Sequence, residues 1–415
     1  MKKMFLKNYA KLIVNQGLSL RKGQSVIIQV SVENEEFASL VVKECYKAGA
    51  GRVVVRWISE TVNKIAYLNG KEKYLTEVYP EELAYMKWSS EDLPATLYLT
   101  SADPDALVGV DPMLLAKIRM NRYRVMKEYI EASENKHQWC IAGVAGKKWA
   151  KKMFPELSTS KAVEKLWEAI LYSSRALDGN GIKNWEEHNA NLKKKITYLN
   201  SLNLKELHYY SSNGTNLRVG LIPGVNWQAG GETDLKGDFF QPNIPSEECF
   251  TTPRRGDADG VVYSAKPLVY NGNIIENFHF VFKEGKVVEV HAEKGEEVLK
   301  SILSLDEGAS YLGECALVPF DSPINNTGLL FFSTLYDENA ACHLAIGRGF
   351  PELLPGFEKL SEEEIFKAGI NRSQSHVDFM IGSKDLNIVG INDKGEEIQL
   401  FSNGNWDPEI LAKLG

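Results

Sequence analysis

Apolar positions over roughly the first two hundred residues alternate between two periods. Phe5, Tyr9, Leu12 and Ile13 recur at helical spacing and predict an amphipathic helix over 3–16. The run Ser25-Val-Ile-Ile-Gln-Val30 predicts a strand. A second helix over 34–48 ends at Gly49 and Gly51, residues suited to a helix C-terminus, and the strand Arg52-Val-Val-Val-Arg-Trp-Ile58 follows. Ala95-Thr-Leu-Tyr-Leu-Thr100 and Gln138-Trp-Cys-Ile-Ala142 are further strand-like runs, separated by a long charged helix over 112–133. Helices over 147–153, 160–177 and 184–200 complete this part. Short apolar, β-branched runs separated by helices predict a parallel sheet flanked by helices.

From about residue 205 the pattern changes. Strand-like segments at 206–211, 216–222, 261–264, 267–270, 277–283 and 286–292 are joined by turn signals such as Asn213-Gly214, Asn271-Gly272 and Glu284-Gly285. Helices are expected only at 295–304 and at 361–368, the latter opening on Ser361 with Glu364 in capping-box spacing. The expectation is an α/β N-terminal domain over 1–190 and an α+β C-terminal domain over 191–415 dominated by antiparallel strands. Asp178-Gly-Asn-Gly-Ile182 lacks a preceding strand and the Gly spacing of a phosphate loop, and reads as the start of the connection between them.

Composition narrows the partners. The net charge of −7 argues against nucleic acid and anionic membranes. No apolar run reaches the length of a membrane span. Lys2 and Lys3 lead into an amphipathic helix and not an apolar leader, so no signal peptide is expected. The five cysteines are scattered without CxxC spacing, which fits a reducing cytoplasm.

The candidate chemistry lies in the second half. In Ser375-His-Val-Asp-Phe-Met-Ile381, His376 and Asp378 sit two apart, so a strand would project both from one face, with Val377 and Phe379 opposite. Glu314 stands within the apolar run Tyr311-Leu-Gly-Glu-Cys-Ala-Leu-Val318, and His343 within Ala341-Cys-His-Leu-Ala-Ile346. A carboxylate in such a run is paired, protonated or bound to a metal. Glu247 and Glu248 are adjacent, so only one of them can face a buried site if the segment is extended. These acids and histidines exceed what one zinc ion takes and suit two divalent cations sharing carboxylates. Cys249, Cys315 and Cys342 each neighbour a candidate ligand and should therefore point to the opposite face of their strands. His137, His188, His208 and His291 are expected at the surface, while His279, between Phe278 and Phe280, could be a core residue.

Blocks 243–253, 311–325, 334–347 and 371–383 resemble the M29 family of metallo-aminopeptidases, the thermophilic and PepS-like group, and the resemblance extends over essentially the whole chain. The spacings agree with it: 66 residues from Glu248 to Glu314, 29 to His343, 33 to His376 and two more to Asp378. The resemblance implies that Glu248, Glu314, His343, His376 and Asp378 ligate two divalent metal ions. Zinc is the first expectation, and cobalt, manganese and magnesium are alternatives. It also implies hydrolysis of the N-terminal peptide bond of short peptides with a free N-terminus, and a homodimer with a largely enclosed cavity. The choice of Glu248 over Glu247 comes from this spacing alone. No residue can be assigned as general base.

The chain departs from the family pattern at Phe350, where the family has a tyrosine at the metals. Loss of such a hydrogen-bond donor would cost a factor of roughly 10² to 10³ in turnover if nothing replaces it. Two competing readings follow. One is a non-catalytic peptide-binding protein that retains the metal site. The other is a ring-cleaving dioxygenase with one iron held by His343, His376 and Asp378.

Overall fold

The computed structural model describes residues 3–101 and 103–415; the basic start at Lys2 lies outside them. Helix α1 (Lys3–Leu12) runs into a π-helical segment, Ile13–Leu18, and then come β1 (Ser25–Ser31), α2 (Glu35–Lys47) and β2 (Arg52–Ile58). Three helices, α3 (Glu60–Asn69), α4 (Glu72–Thr76) and α5 (Pro80–Asp92), precede β3 (Ala95–Thr100). Next are α6 (Pro112–Ser133), β4 (Trp139–Gly143), α7 (Lys147–Met153), α8 (Thr159–Ser173) and α9 (Gly181–Ser201). Strands then dominate: β5 (Leu204–Tyr210), β6 (Asn216–Leu221), β7 (Gln228–Ala229), β8 (Glu232–Thr233), β9 (Phe239–Phe240), β10 (Asn243–Ile244), β11 (Cys249–Thr251) and β12 (Pro253–Tyr263). β13 (Leu268–Tyr270), β14 (Asn273–Lys283) and β15 (Lys286–Lys294) lead to α10 (Glu296–Leu303), β16 (Leu312–Leu317), α11 (Pro323–Asn326) and α12 (Thr334–Asp337). The chain closes with β17 (His343–Gly347), α13 (Glu362–Ala368), β18 (His376–Met380), β19 (Asn387–Asn392), β20 (Glu397–Ser402), β21 (Asn405–Trp406) and α14 (Pro408–Leu414).

The chain forms two compact units. The first runs as far as Glu187 and takes back Gly231–Pro245; the second comprises His188–Gly230 and Ser246–Gly415. In the first, a parallel sheet has the order β10-β4-β3-β1-β2. Its inner strands bury side chains on both faces, among them Val26, Ile27, Ile28, Leu97 and Leu99. That is why they read as continuous apolar runs. Edge position suits β10, which brings a two-residue strand from far along the sequence onto β4. Helices α3, α5 and α6 bury no residue fully. They are held at their starts instead: Pro80 opens α5 within a capping box from Tyr79 to Glu82, and Asp111 caps α6 through the Met113 N–H at 2.9 Å.

The second unit is built from two antiparallel sheets. The larger has nine strands in the order β13-β14-β12-β6-β5-β19-β20-β21, with β15 beside β14. The smaller is β18-β17-β16-β11-β7. One apolar core joins them, with Tyr209, Phe278, Phe280, Leu344, Phe379 and Phe401 at its centre. The Ser361–Glu364 capping box starts α13 as the sequence predicts. No helix among the described residues is long and apolar enough to cross a membrane.

Candidate metal centre

The five-stranded antiparallel sheet has two unlike faces, and its register decides which residues share each. His343 on β17 lies opposite Met380 on β18 and Ala316 on β16; Ala345 lies opposite Asp378 and Glu314; Gly347 lies opposite His376. The alternate residues Cys342, Leu344, Ile346, Cys315, Leu317, Val377 and Phe379 belong to the apolar core. Acids and histidines therefore occupy one face, with Ala316, Ala345 and Gly347 leaving room between them.

Strict alternation would place Leu312 and Glu314 on the same face. A bulge at Gly313 breaks the register between them, so Leu312 pairs with Ile346 and enters the core while Glu314 pairs with Ala345. Only glycine fits there, because a Cβ on Gly313 would lie 2.2 Å from the Arg348 carbonyl oxygen. Gly347 has φ +105°, and a Cβ on it would lie 2.1 Å from the Ser375 carbonyl oxygen. The two glycines bring β16, β17 and the approach to β18 close together.

All five sequence-expected residues converge on this face. Glu248, Glu314, His343 and Asp378 are buried and His376 is half-buried. They form two groups that share one member. Glu248, Glu314 and His343 bring donor atoms within 4.8 Å of one another, and so do Glu314, His376 and Asp378. His343 Nε2 is 3.4 Å from Glu248 Oε2 and 3.9 Å from Glu314 Oε1. His376 Nε2 is 3.0 Å from Glu314 Oε2 and 3.2 Å from Asp378 Oδ1. Glu314 thus turns one oxygen to each group.

The outer ring nitrogens complete the geometry. His376 Nδ1 donates to the Arg348 carbonyl at 2.7 Å, and His343 Nδ1 faces the Ala341 carbonyl at 3.4 Å. A proton on Nδ1 leaves the Nε2 lone pair aimed at carboxylate oxygens. Lone pairs that face lone pairs in a buried site require a cation between them, either a proton or a metal ion. Two imidazoles and three carboxylates are a hard-to-borderline donor set that fits divalent ions.

The electrostatics agree. Burial pushes the Glu314 carboxyl up to about 7, although His376 donates to it. Burial works against protonation of His343, but hydrogen bonding to Glu248 and the charge of Glu314 outweigh it and lift the ring to about 10. His376 is likewise raised well above the ordinary imidazole range: burial opposes its charge, and the charge of and hydrogen bond to Asp378 prevail. Asp378 falls to about 2, because the charge of His376 overcomes its burial.

The neighbours behave differently. Cys249, Cys315 and Cys342 lie in the core, and burial holds each thiol up at about 12, so none offers a thiolate. Glu247 is buried but belongs to neither group; its N–H donates to Asn339 Oδ1 at 2.8 Å and its Oε2 is 3.8 Å from His188. His188 is not a surface residue. It lies one helical turn before the buried Leu192 on α9, and its Nε2 donates to the Ser246 carbonyl at 2.8 Å. His279 is half-buried, with its ring centroid 4.6 Å from that of Tyr263. Phe350 does reach the site: its ring centroid is 5.1 Å from that of His376 and 5.3 Å from that of Phe250.

One acid escaped the sequence reading. Glu338, at the start of a 3₁₀ turn Glu338–Ala340, is held well above the carboxylate range by burial and by the charges of Asp378 and Glu248. The available signal was a glutamate five residues before His343, but its short turn has no alternation that would reveal which way it points.

Three comparisons bear on what this arrangement belongs to. The family model described as thermophilic metalloprotease (M29) matches residues 2–406. Aminopeptidase PepS of Streptococcus thermophilus is 41% identical over 405 residues, covering 97% of each chain. The solved structure of wild-type AmpT from Thermus thermophilus superposes with a TM-score of 0.89 at 38% identity, over 97% of this chain and 99% of that one. A 2,5-dihydroxypyridine dioxygenase from Pseudomonas putida shares the fold alone, with a TM-score of 0.51 at 11% identity over 98% of this chain and 96% of that one. The chain belongs to the M29 metallopeptidase family.

Proposed function

We propose that this aminopeptidase holds two divalent cations in its acid–histidine cluster and uses them to remove the N-terminal residue of short peptides that have a free N-terminus. The supporting observation is the placement of Glu314 in both donor groups, with one oxygen toward each histidine. Glu248, Glu314 and His343 would hold one ion, and Glu314, His376 and Asp378 the other, with zinc the first choice over cobalt, manganese or magnesium. Bound there, such ions supply Lewis acidity toward the scissile carbonyl and bring a water toward ionisation near neutral pH.

The chain's own groups do the rest. The Ala341 and Arg348 carbonyls keep both Nε2 atoms aimed inward. Burial of Glu248, Glu314, His343 and Asp378 limits bulk water around the acids and strengthens every charge interaction there. Membership of the family supports the hydrolytic reading over the single-iron one, because Glu248 and Glu314 would have no role around one iron held by His343, His376 and Asp378. A homodimer working in the cytoplasm on peptides, and not on nucleic acid or membranes, completes the proposal.

A second reading, a peptide-binding protein with little turnover, rests on Phe350, which offers no hydroxyl beside His376. One experiment separates the two. Metal-reconstituted wild type and Phe350→Tyr are given unblocked and N-acetylated peptides after ions per chain have been counted. Release of the first residue from unblocked peptides only, abolished by chelation, supports the aminopeptidase. With two ions bound and no turnover in either protein, the binding reading replaces it. A single iron would point to the oxygenase.

A further inference from the structure

Two phenyl rings stand beside the donor cluster without a place in the core. Phe250 on β11 pairs with Ala316, and Ala316 pairs with His343, so the sheet row that carries one candidate ligand ends on an aromatic ring. The small Ala316 leaves a gap between that ring and the imidazole. Phe350, three residues past β17, has its ring centroid 5.3 Å from that of Phe250, edge to face, and 5.1 Å from that of His376. The rings therefore run in contact from β11 to the histidine that opens β18. Both phenylalanines are half-buried, and neither belongs to the apolar core behind the sheet or to the side chains packed against it.

The backbone fixes both positions. Phe250 is paired on its other side with Gln228 of β7. Ahead of Phe350, the Arg348 N–H donates to the Ser375 carbonyl at 2.7 Å and the Gly349 N–H to the Asn371 carbonyl at 2.9 Å. A Cβ on Gly349 would lie 2.6 Å from Thr252 Oγ1, so only glycine brings the chain this close to the segment that follows β11. Behind Phe350, Pro351 opens a 3₁₀ turn over Pro351–Leu353. The two rings are thus held in place before any ligand arrives.

Apolar surface left half in water gains free energy when another apolar group covers it. The reaction proposed above brings such a group to this spot. The Cβ of a peptide's first residue is two bonds from the carbonyl carbon that reacts, and the Cβ of the second residue is three bonds away. We propose that Phe250 and Phe350 form the wall against which the side chain of the first residue packs. The site would then favour peptides that begin with a bulky apolar residue, such as leucine, methionine or phenylalanine, over alanine or a polar residue of the same shape. The inference rests on the aminopeptidase reading and adds its substrate class. It also gives the hydroxyl-free ring of Phe350 a function of its own, because that ring is apolar to its tip.

The test uses the hydroxamates of leucine, alanine and asparagine, the last matching leucine in shape but not in polarity. Binding to metal-reconstituted wild type, Phe250→Ala, Phe350→Ala and Phe350→Leu is measured by calorimetry after ions per chain have been counted. In parallel, kcat/KM is measured with unblocked peptides that differ only in the first residue or only in the second. Wild type should prefer leucine to both other residues by about 10- to 100-fold, in affinity and in kcat/KM. Each alanine variant should lower that preference about 10-fold, and Phe350→Leu should retain part of it. The ratio is the readout because general damage to the centre weakens all three compounds alike. Equal binding of the three by wild type, or a preference unchanged in both alanine variants, would reduce the rings to a cover over His376 and overturn the proposal. A preference that follows the second residue and not the first would overturn it too. Preferential binding of leucine hydroxamate without any cleavage, with ions bound, would sink the aminopeptidase reading and leave the wall standing.

Discussion

The molecule contains two five-stranded sheets that treat their side chains in opposite ways. In the parallel sheet, β1, β3 and β4 bury apolar groups above and below, and no inner-strand position carries a charge. In the antiparallel sheet, β16, β17 and β18 give one face to acids, histidines and the small residues that make space for them, with Met380 beside His343 the one large apolar side chain among them. What holds the second sheet is its other face, packed with Leu344, Ile346, Val377 and Phe379. A sheet can devote one face to charge when the opposite face supplies the cohesion, and the pleat keeps the two jobs apart at single-residue spacing.

The sharpest break in this comparison is Glu314→Gln. The change removes the shared carboxylate, so at least one ion should be lost and peptide hydrolysis should fall by at least roughly 10³-fold. The metal-free protein should nonetheless melt higher, because a buried acid among acids has been neutralised. Metal counting, a peptidase assay and calorimetry on one preparation check all three. In the parallel sheet, Leu97→Ala should act in the reverse sense. It should lower stability by about 2–5 kcal/mol in denaturant titration and leave the ions bound per folded chain unchanged.

A pH series on chelated protein comes next in size. Folding raises His343 to about 10 from 6.5 and Glu314 to about 7 from 4.5, so the folded form binds both protons more tightly than the unfolded form. Glu314's share of stability is complete below about 4.5 and lost by 7; His343's is complete below about 6.5 and lost as pH rises through 10. Asp378 runs the other way, but its contribution is lost only on acidification from 3.8 toward about 2. Metal-free protein should therefore lose stability on the order of 4 kcal/mol between about pH 6.5 and 9.5, a fall that bound ions should suppress because they replace the protons. The smallest effect is expected from Cys342→Ala on the core face. It leaves the Val318 N–H, which donates to Cys342 Sγ at 3.4 Å, without its partner. It should cost about 1–2 kcal/mol with full metal content; loss of an ion would mean that the thiol reaches the site after all.

The same contrast explains what could be read from the chain. The strands Arg52–Ile58 and Ala95–Thr100 and the helix Pro112–Ser133 fall where their patterns place them. Glu314, His343, His376 and Asp378 were conspicuous because a polar residue inside an apolar strand has few explanations. Helices α3, α4 and α5 went unread: like α6 they bury no residue and so carry no apolar stripe, and unlike the 22-residue α6 they are too short for a charged run to mark them as helical. β10 pairs across a hundred residues, and no local pattern announces that. Alternation also misassigns Leu312, because one extra glycine reverses the phase of the strand. Adjacent Glu247 and Glu248 could be told apart only by the spacing that the family shares. His188 and Glu338 were hidden for a related reason: a helix face and a short turn show their direction only once packed.

The hydrogen bonds from the two histidines to the Ala341 and Arg348 carbonyls carry one more consequence. A side-chain partner can be deleted by a single codon change, but a backbone carbonyl persists whatever residue stands there. The tautomers of this centre are thus inherited from the path of the chain and not from the identity of any neighbour. Substitution around the site can then explore new substrates while the imidazoles keep their orientation. Only changes that bend β17 or β18, or fill Gly313 or Gly347, would reach it.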